Sequence, residues 1–350
     1  MKSARFSQAL PLLAALSLSL VANGCERRGE AHPVPGVASS KPAQVEQTVI
    51  RFSEPGNAGV VAYVKRHGLL DAPLASANAR VEWVPAAGAF SANFEAMNAG
   101  AINASGGAVS PIIGALSHNL KFRIFAIGDP GDIKQSGLIV PKDSPVKRVE
   151  DLAGKRVAVN WAAHGDYILL RALEKHGVPA ERVTRVPIQP PDAAAAFATG
   201  KLDGWATFGV FYTTAVQNGA RVIANEAEIE SEDVTVLAAS QEVLSRNPKA
   251  FQVLLRVIQE ATRTAHESPE KFQNVFDVKG PRALSGDLLQ AAIDEVKGSP
   301  VHRVPTAFDR DRITRVTKLL FDNKSIDRSI AVNDIVFDID QAAAAQKGGS

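Results

Sequence analysis

Residues 138–160 read Leu-Ile-Val-Pro-Lys-Asp-Ser-Pro-Val-Lys-Arg-Val-Glu-Asp-Leu-Ala-Gly-Lys-Arg-Val-Ala-Val-Asn. A β-rich apolar run, Leu138–Val140, is stopped by Pro141. A short helix is expected over Arg148–Leu152, closed by Gly154, and a second β-rich run follows at Arg156–Asn160. Strand, turn, helix and strand in so few residues is the repeating unit of an α/β fold, in which helices cover strands that run parallel.

The same alternation continues on both sides. Downstream, a helix from about Ala163 to His176 is followed by a strand at Val183–Pro187, a helix at Asp192–Thr199 and a strand at Gly204–Phe208. Upstream, strands are expected at Thr48–Phe52, Arg80–Val84, Ala101–Ser105 and Phe122–Ile127, with helices between them, one of them over Phe90–Asn98. After Val234–Ala239 the pattern turns helical, at Ser245–His266, Pro269–Phe276, Gly286–Lys297 and Phe308–Phe321. Two cycles without a sequence repeat imply two lobes, each a mostly parallel sheet flanked by helices. The expected partition is 47–137 for the first lobe, 138–237 for the second, and 238–345 for a mainly helical return to the first. Two crossings form a hinge more readily than one linker does.

The N-terminus carries a different signal. Lys2 and Arg5 precede an apolar stretch from Ala9 to Ala22, and Ala22-Asn23-Gly24-Cys25 follows. A basic start, a short apolar core and small residues describe an export signal over 1–24. Cys25 is the chain's one cysteine, placed where lipoprotein processing would acylate it, although Ala22-Asn23-Gly24 also suits the ordinary signal peptidase. Residues 25–46, rich in Pro, Gly, Ser and Ala, read as a flexible tether. The chain has 39 basic and 37 acidic residues. Loss of Lys2 and Arg5 with the leader would balance it, so no basic surface for nucleic acid is implied.

Catalytic signatures are absent. There is no His-Glu-x-x-His, no Cys-x-x-Cys, no phosphate-binding Gly-x-x-x-x-Gly-Lys and no Gly-x-Ser-x-Gly. The seven histidines show no metal-ligand spacing. Neither a metal nor another cofactor is expected. What recurs is a strand, a turn of small residues and a helix start, at Ser53–Ala58, Ala86–Phe90, Gly106–Pro111 and Asn160–Asp166. Such turns aim backbone N–H groups into the crevice at the carboxyl edge of a sheet. Each alone is an ordinary βα turn; four over two lobes suggest a cleft.

The run 138–160 resembles the periplasmic solute-binding proteins of the aliphatic sulfonate, taurine and nitrate type. Leu169–Gly177, Ala196–Trp205, Glu95–Gly100 and Asn247–Ala250 fit that family in order and spacing. The resemblance implies the two-lobed type II periplasmic-binding fold. It also implies the role of substrate-binding subunit of an ABC importer, capturing a small organic anion for a membrane permease with a separate ATPase. The expected protein is a periplasmic or envelope monomer, held by lipid at Cys25 and not an enzyme. Desulfinases and pyrimidine synthases share the scaffold, and a periplasmic sensor subunit would use the same closure.

By position, the resemblance lines the cleft with Ser53, Gly56, Asn57, Gly88, Phe90 and Ser110 from lobe one. Trp161, His164, Asp166, Trp205 and Phe208 come from lobe two. Blander roles stand beside these: Asn57 as a helix cap, His164 as another, Trp205 as a core aromatic. Three departures from the family bear on the ligand. Val109 stands where an acid is usual, Ala162-Ala163-His164-Gly165-Asp166 replaces a hydroxyl-rich turn, and Phe208-Gly209-Val210 replaces Trp-Asp-Pro. With Glu54 and Asp166 beside two helix starts, nitrate and sulfate should bind poorly. A larger solute with an apolar body and one acidic group should bind better, packed on Trp161, Trp205 and Phe90.

Overall fold

The computed structural model describes residues 46–86, 90–129 and 135–348. The expected leader, the tether with Cys25, and Gly88 lie outside the described residues. Among the described residues ten strands form two sheets. The first holds β1 (Thr48–Ser53), β2 (Ala79–Val84), β3 (Ala104–Ala108), β4 (Phe122–Ile127) and, much later, β10 (Thr235–Ser240), in the order β2-β1-β3-β10-β4. The second holds β5 (Ser136–Val140), β6 (Arg156–Val159), β7 (Thr184–Pro187), β8 (Gly204–Phe208) and β9 (Arg221–Asn225), in the order β7-β6-β8-β5-β9.

Both sheets are mixed. β1 pairs in parallel with β2 and β3, but β10 runs antiparallel to β3 and β4. β6 pairs in parallel with β7 and β8, whereas β5 runs antiparallel to β8 and β9. The reversed strand is in each case the one on which the chain arrives from the other sheet. Such a strand enters from the shared edge and must run backwards.

Helices cover both faces. In chain order they are α1 (Val60–Arg66), α2 (Asp71–Ala75), α3 (Phe94–Asn98), α4 (Val109–Ser117), α5 (His164–Lys175), α6 (Pro190–Ala198) and α7 (Gly209–Gln217). There follow α8 (Gln241–Arg246), α9 (Pro248–Glu267), α10 (Gly286–Lys297), α11 (Ala307–Asp322), α12 (Val332–Ile335) and α13 (Ile339–Gly348). Successive strand residues point to opposite faces, and in β4, β5 and β6 almost every residue on both faces is buried, which is why those strands read as apolar runs. Leu138 and Val140 pack with Ile168 and Leu169 of α5, while Ile139 between them packs with Trp205 and Tyr212. In the first sheet, Ile50, Phe52 and Leu237 meet Leu254 and Ile258 of α9, and Ile124 meets Ile113 and Ile313 on the opposite face.

The expected helix over Ser245–His266 is two helices. Pro248 has no N–H and restrains the residue before it, so α8 stops at Arg246. The Asn247 side chain then accepts from the Ala250 amide and starts α9 with Pro248 in its first turn. Helix α7 and strand β9 were not anticipated from the pattern.

The two sheets are not joined by the crossings alone. Ala162, Tyr167 and Leu170, from α5 and the turn before it, pack into the apolar core formed by α4 and α11. Close approach there requires Gly114 of α4, where a Cβ would overlap the carbonyl of Ala162. Gly165 performs the same service on the other side of the turn, where a Cβ would meet the Ala206 carbonyl of β8 at 2.5 Å.

Candidate functional site

The carboxyl ends of β3, β6 and β8 open on a cavity of about 250 Å³. Phe90 and Pro111 wall it beside the first sheet and Phe208 beside the second, with Gly106, Gly107 and Asn160 at the strand ends. The crossings between the sheets supply Gln135, Ser136, Glu226, Asp233 and Thr235, and α10 supplies Glu295. Two larger hollows lie elsewhere, one around Arg51 and Asn103, the other over α5 and α11. Neither is at the carboxyl edge of both sheets, where backbone polarity and chain reversal leave room for a ligand.

His164, in the first turn of α5, is the charged centre of the cavity. Its Nδ1 lies 2.8 Å from Asp233 Oδ2 and its Nε2 2.7 Å from Glu226 Oε1. Burial alone would lower the imidazole pKa, but the charge of Glu226 and the bonds to both carboxylates outweigh it and hold the pKa up at about 10. The ring is therefore an imidazolium at neutral pH, set between two carboxylates. Asp233 also accepts from the Ser110 amide at 2.7 Å and from the Ser110 hydroxyl. The sequence of contacts is hydroxyl, carboxylate, imidazolium. A nucleophilic triad needs a neutral imidazole touching the hydroxyl, and here the ring is charged and the hydroxyl is bonded to the acid.

The helix starts facing the cavity are already satisfied by the protein. Asp233 occupies the N-terminus of α4. The Gly165 amide donates to Asn160 Oδ1 at 2.7 Å, and the Ala162 amide to Asp166 Oδ2 at 3.0 Å. The Gly209 amide, at the start of α7, donates to the Gln135 carbonyl at 2.7 Å. At two of the four expected turns, Gly106–Pro111 and Asn160–Asp166, the expectation of free donors is therefore corrected: Asp233 takes the Ser110 amide, and Asn160 and Asp166 take the Gly165 and Ala162 amides. Among the described residues no Lys or Arg lines the cavity. Unclaimed donors are the hydroxyls of Ser91, Ser136 and Thr235, lining residues whose oxygens are buried without a hydrogen-bond partner.

Of the residues anticipated for the cleft, Phe90, His164 and Phe208 line this cavity together, with the ring centroids of His164 and Phe208 5.1 Å apart. Ser110 sits behind it, fully buried, as a partner of Asp233. The others are placed elsewhere. Trp205 is 3% exposed and packs against Phe197 and Phe211 in the core of the second sheet, because β8 turns it away from the cleft face. Trp161 stacks on the Arg185 guanidinium at 4.3 Å and donates from Nε1 to the Ser325 carbonyl. Asp166 is buried and takes Arg185 at 2.9 Å. Arg185 also reaches Ser325 and Asn323, so this group ties α5 to the segment after α11. Asn57 holds a loop by accepting from Phe276 and Asp277 amides and donating to the Asp277 and Arg282 carbonyls. The Ser53 hydroxyl pairs with that of Ser105 at 2.8 Å, and Gly56 lies in open space away from the cavity.

Sequence reasoning missed Glu226, Asp233, Ser136, Thr235 and Glu295. Asp233 has a signal in retrospect, since the acid that Val109 displaces returns at the same helix end from a crossing segment.

Residues 108–272 match the NMT1/THI5 like family. A protein of Escherichia coli (strain K12), provisionally named an aliphatic sulfonates-binding protein, is 28% identical over 215 residues, 61% of this chain and 63% of that protein's length. Among solved structures, the alkanesulfonate-binding protein SsuA from Xanthomonas axonopodis pv. citri, bound to MOPS, superposes with a TM-score of 0.73 at 21% identity. It covers 84% of this chain and 100% of its own. The desulfurization enzyme DSZB superposes with a TM-score of 0.56 at 16% identity, covering 85% and 99%. These structural likenesses establish a shared fold, which hosts both a binding protein and an enzyme.

Proposed function

We propose that this chain, which matches the NMT1/THI5-like family and shares the fold of sulfonate-binding proteins, is the solute-binding component of an ABC importer. It captures a small organic anion of the sulfonate kind and delivers it to a membrane permease driven by a separate ATPase. The observation that carries this reading is the interlobe cavity, walled by Phe90 and Phe208 and lined by residues with three unclaimed hydroxyls. The aromatic walls suit an organic body, and Ser91, Ser136 and Thr235 suit the oxygens of an acidic group. His164 offsets only one of the two carboxylates Glu226 and Asp233, so the cavity holds no spare positive charge to compensate a small, strongly hydrated inorganic anion.

The relatives support export to the periplasm. Attachment through an acylated Cys25 and action as a monomer are finer parts of the proposal, decided by mass spectrometry of the mature N-terminus and by light scattering. A non-catalytic role agrees with the hydroxyl–carboxylate–imidazolium order at Ser110. Isothermal titration with alkanesulfonates, nitrate and sulfate tests the reading. Sulfonates should bind and the inorganic ions should not, and Ser136→Ala should weaken sulfonate binding about tenfold, the scale of one hydrogen bond to a charged group. Equal binding of nitrate, or no sulfonate binding at all, refutes it.

A further inference from the structure

The turn that brings His164 to the cavity also holds Arg185. Asp166 Oδ2 accepts from the Ala162 amide at 3.0 Å, and Asp166 Oδ1 accepts from Arg185 of β7 at 2.9 Å. Trp161 stacks on the same guanidinium. Ala162, between them, has φ 51°, a left-handed conformation that a residue with a Cβ keeps only where its surroundings fix it. Asn160 and His164 of this turn line the interlobe cavity. One turn therefore carries both part of the cavity wall and the groups that hold Arg185.

The carboxylate and the ring that hold Arg185 belong to the second sheet and its helix, whereas its other partners belong to the first. Nη1 donates to the Ser325 hydroxyl at 2.7 Å, Nη2 donates to the Asn323 carbonyl, and Trp161 Nε1 donates to the Ser325 carbonyl at 3.0 Å. Ile326, the next residue, is buried with Ile124 in the core of the first sheet. These acceptors are neutral. Parting them leaves the Asp166–Arg185 pair intact and strands no buried charge, so the cost is that of ordinary hydrogen bonds. Nearer the crossing, the Glu232 carboxylate accepts from Arg315 of α11 at 2.8 Å, and the Glu232 amide donates to the Tyr167 hydroxyl at 2.8 Å. Asn323 lies eight residues beyond Arg315, about 12 Å along the helix. A rotation of about 15° centred on the crossing shifts groups at that distance by roughly 3 Å, more than a hydrogen bond tolerates.

We propose that Arg185, with Trp161 and Asp166, is an interlobe clasp: it fastens the second lobe to the Ser325 segment when the lobes close, and the turn 160–166 couples that closure to the cavity. Arg185 is a positioning residue and touches no ligand. Apparent affinity falls in proportion to the fraction of molecules in the binding-competent arrangement, so loosening the clasp weakens binding without altering the cavity. That consequence for affinity rests on the solute-binding reading above; the clasp itself does not.

The test joins small-angle scattering of the ligand-free proteins to isothermal titration with methanesulfonate. Arg185→Lys keeps a cation for Asp166 but cannot fork to two acceptors or stack as a plane on Trp161. Ser325→Ala removes one acceptor from the other side, and keeps the test open if Arg185→Lys does not fold. Both variants should show a larger radius of gyration than wild type. Methanesulfonate should bind about tenfold more weakly to Arg185→Lys and about threefold more weakly to Ser325→Ala. A lower melting temperature with scattering and affinity at wild-type values makes the group merely structural and overturns the clasp. If methanesulfonate binds none of the proteins, the functional reading fails and scattering alone decides: expansion of the variants sustains the clasp, and equal radii overturn it.

Discussion

Replacing His164 by Gln removes the one positive charge between Glu226 and Asp233. Asp233 is 4% exposed and would keep its bonds from Ser110, but Glu226 and Asp233 would then face one another without a cation. The imidazole pKa rises from 6.5 to about 10, and at about 1.4 kcal/mol per unit this corresponds to several kcal/mol of stabilisation. Removal of one partner from a buried ion pair costs about 3–5 kcal/mol, which agrees in scale. The sign follows from linkage. The folded state holds its proton more tightly, so the stabilisation is fully present below pH 6.5 and is lost as pH rises through about 10. Across that window wild-type stability should fall by up to about 1.4 kcal/mol per pH unit from this group, and His164→Gln should lack that slope. Urea denaturation of both proteins at several pH values gives the difference, and NMR titration of the ring carbon protons gives the pKa directly. A loss below about 1 kcal/mol in the variant, or an identical pH slope in the two proteins, would refute the buried imidazolium.

Three further outcomes are expected. Gly114→Val should lower stability by about 1–3 kcal/mol, because its Cβ meets a backbone carbonyl that cannot rotate away; a thermal melt unchanged from wild type would show that the lobes do not approach there as described. Trp205→Ala should destabilise by about 3–5 kcal/mol with sulfonate affinity retained in the folded fraction, whereas selective loss of affinity at unchanged stability would make the ring a ligand contact after all. Asp309 is desolvated, yet bonds from Arg303 and Thr306 outweigh that and hold its carboxyl down at about 2. Its contribution is present above pH 3.8 and lost as pH falls through about 2, so Asp309→Asn should flatten the acid limb of a circular dichroism titration.

Much of the architecture was legible because it is local. Runs such as Leu138–Val140 and Arg156–Asn160 are apolar on both faces, which only a strand covered on both sides requires. Gly286–Lys297 matches a helix residue for residue. The break at Asn247-Pro248 was equally local and is explained by proline geometry. Strand β9, by contrast, is a short edge strand whose burial is partial, so it leaves a weak apolar signature.

The site was only partly legible. Phe90, His164 and Phe208 follow from their places at the ends of strands or the starts of helices, which chain order alone predicts. The direction of a side chain is a different matter. Trp161 and Trp205 sit at equally promising positions in the chain, yet one is drawn to Arg185 and the other into the core, each by partners distant in sequence. Likewise no local rule brings Asp233 to the N-terminus of α4, 123 residues away, or sets it against His164. Local chemistry determined where strands, turns and helix starts would fall. Which carboxylate reaches which helix end, and which side chains come together around the cavity, was decided by packing across the two sheets, because burial and electrostatics act through distance in space and not along the chain.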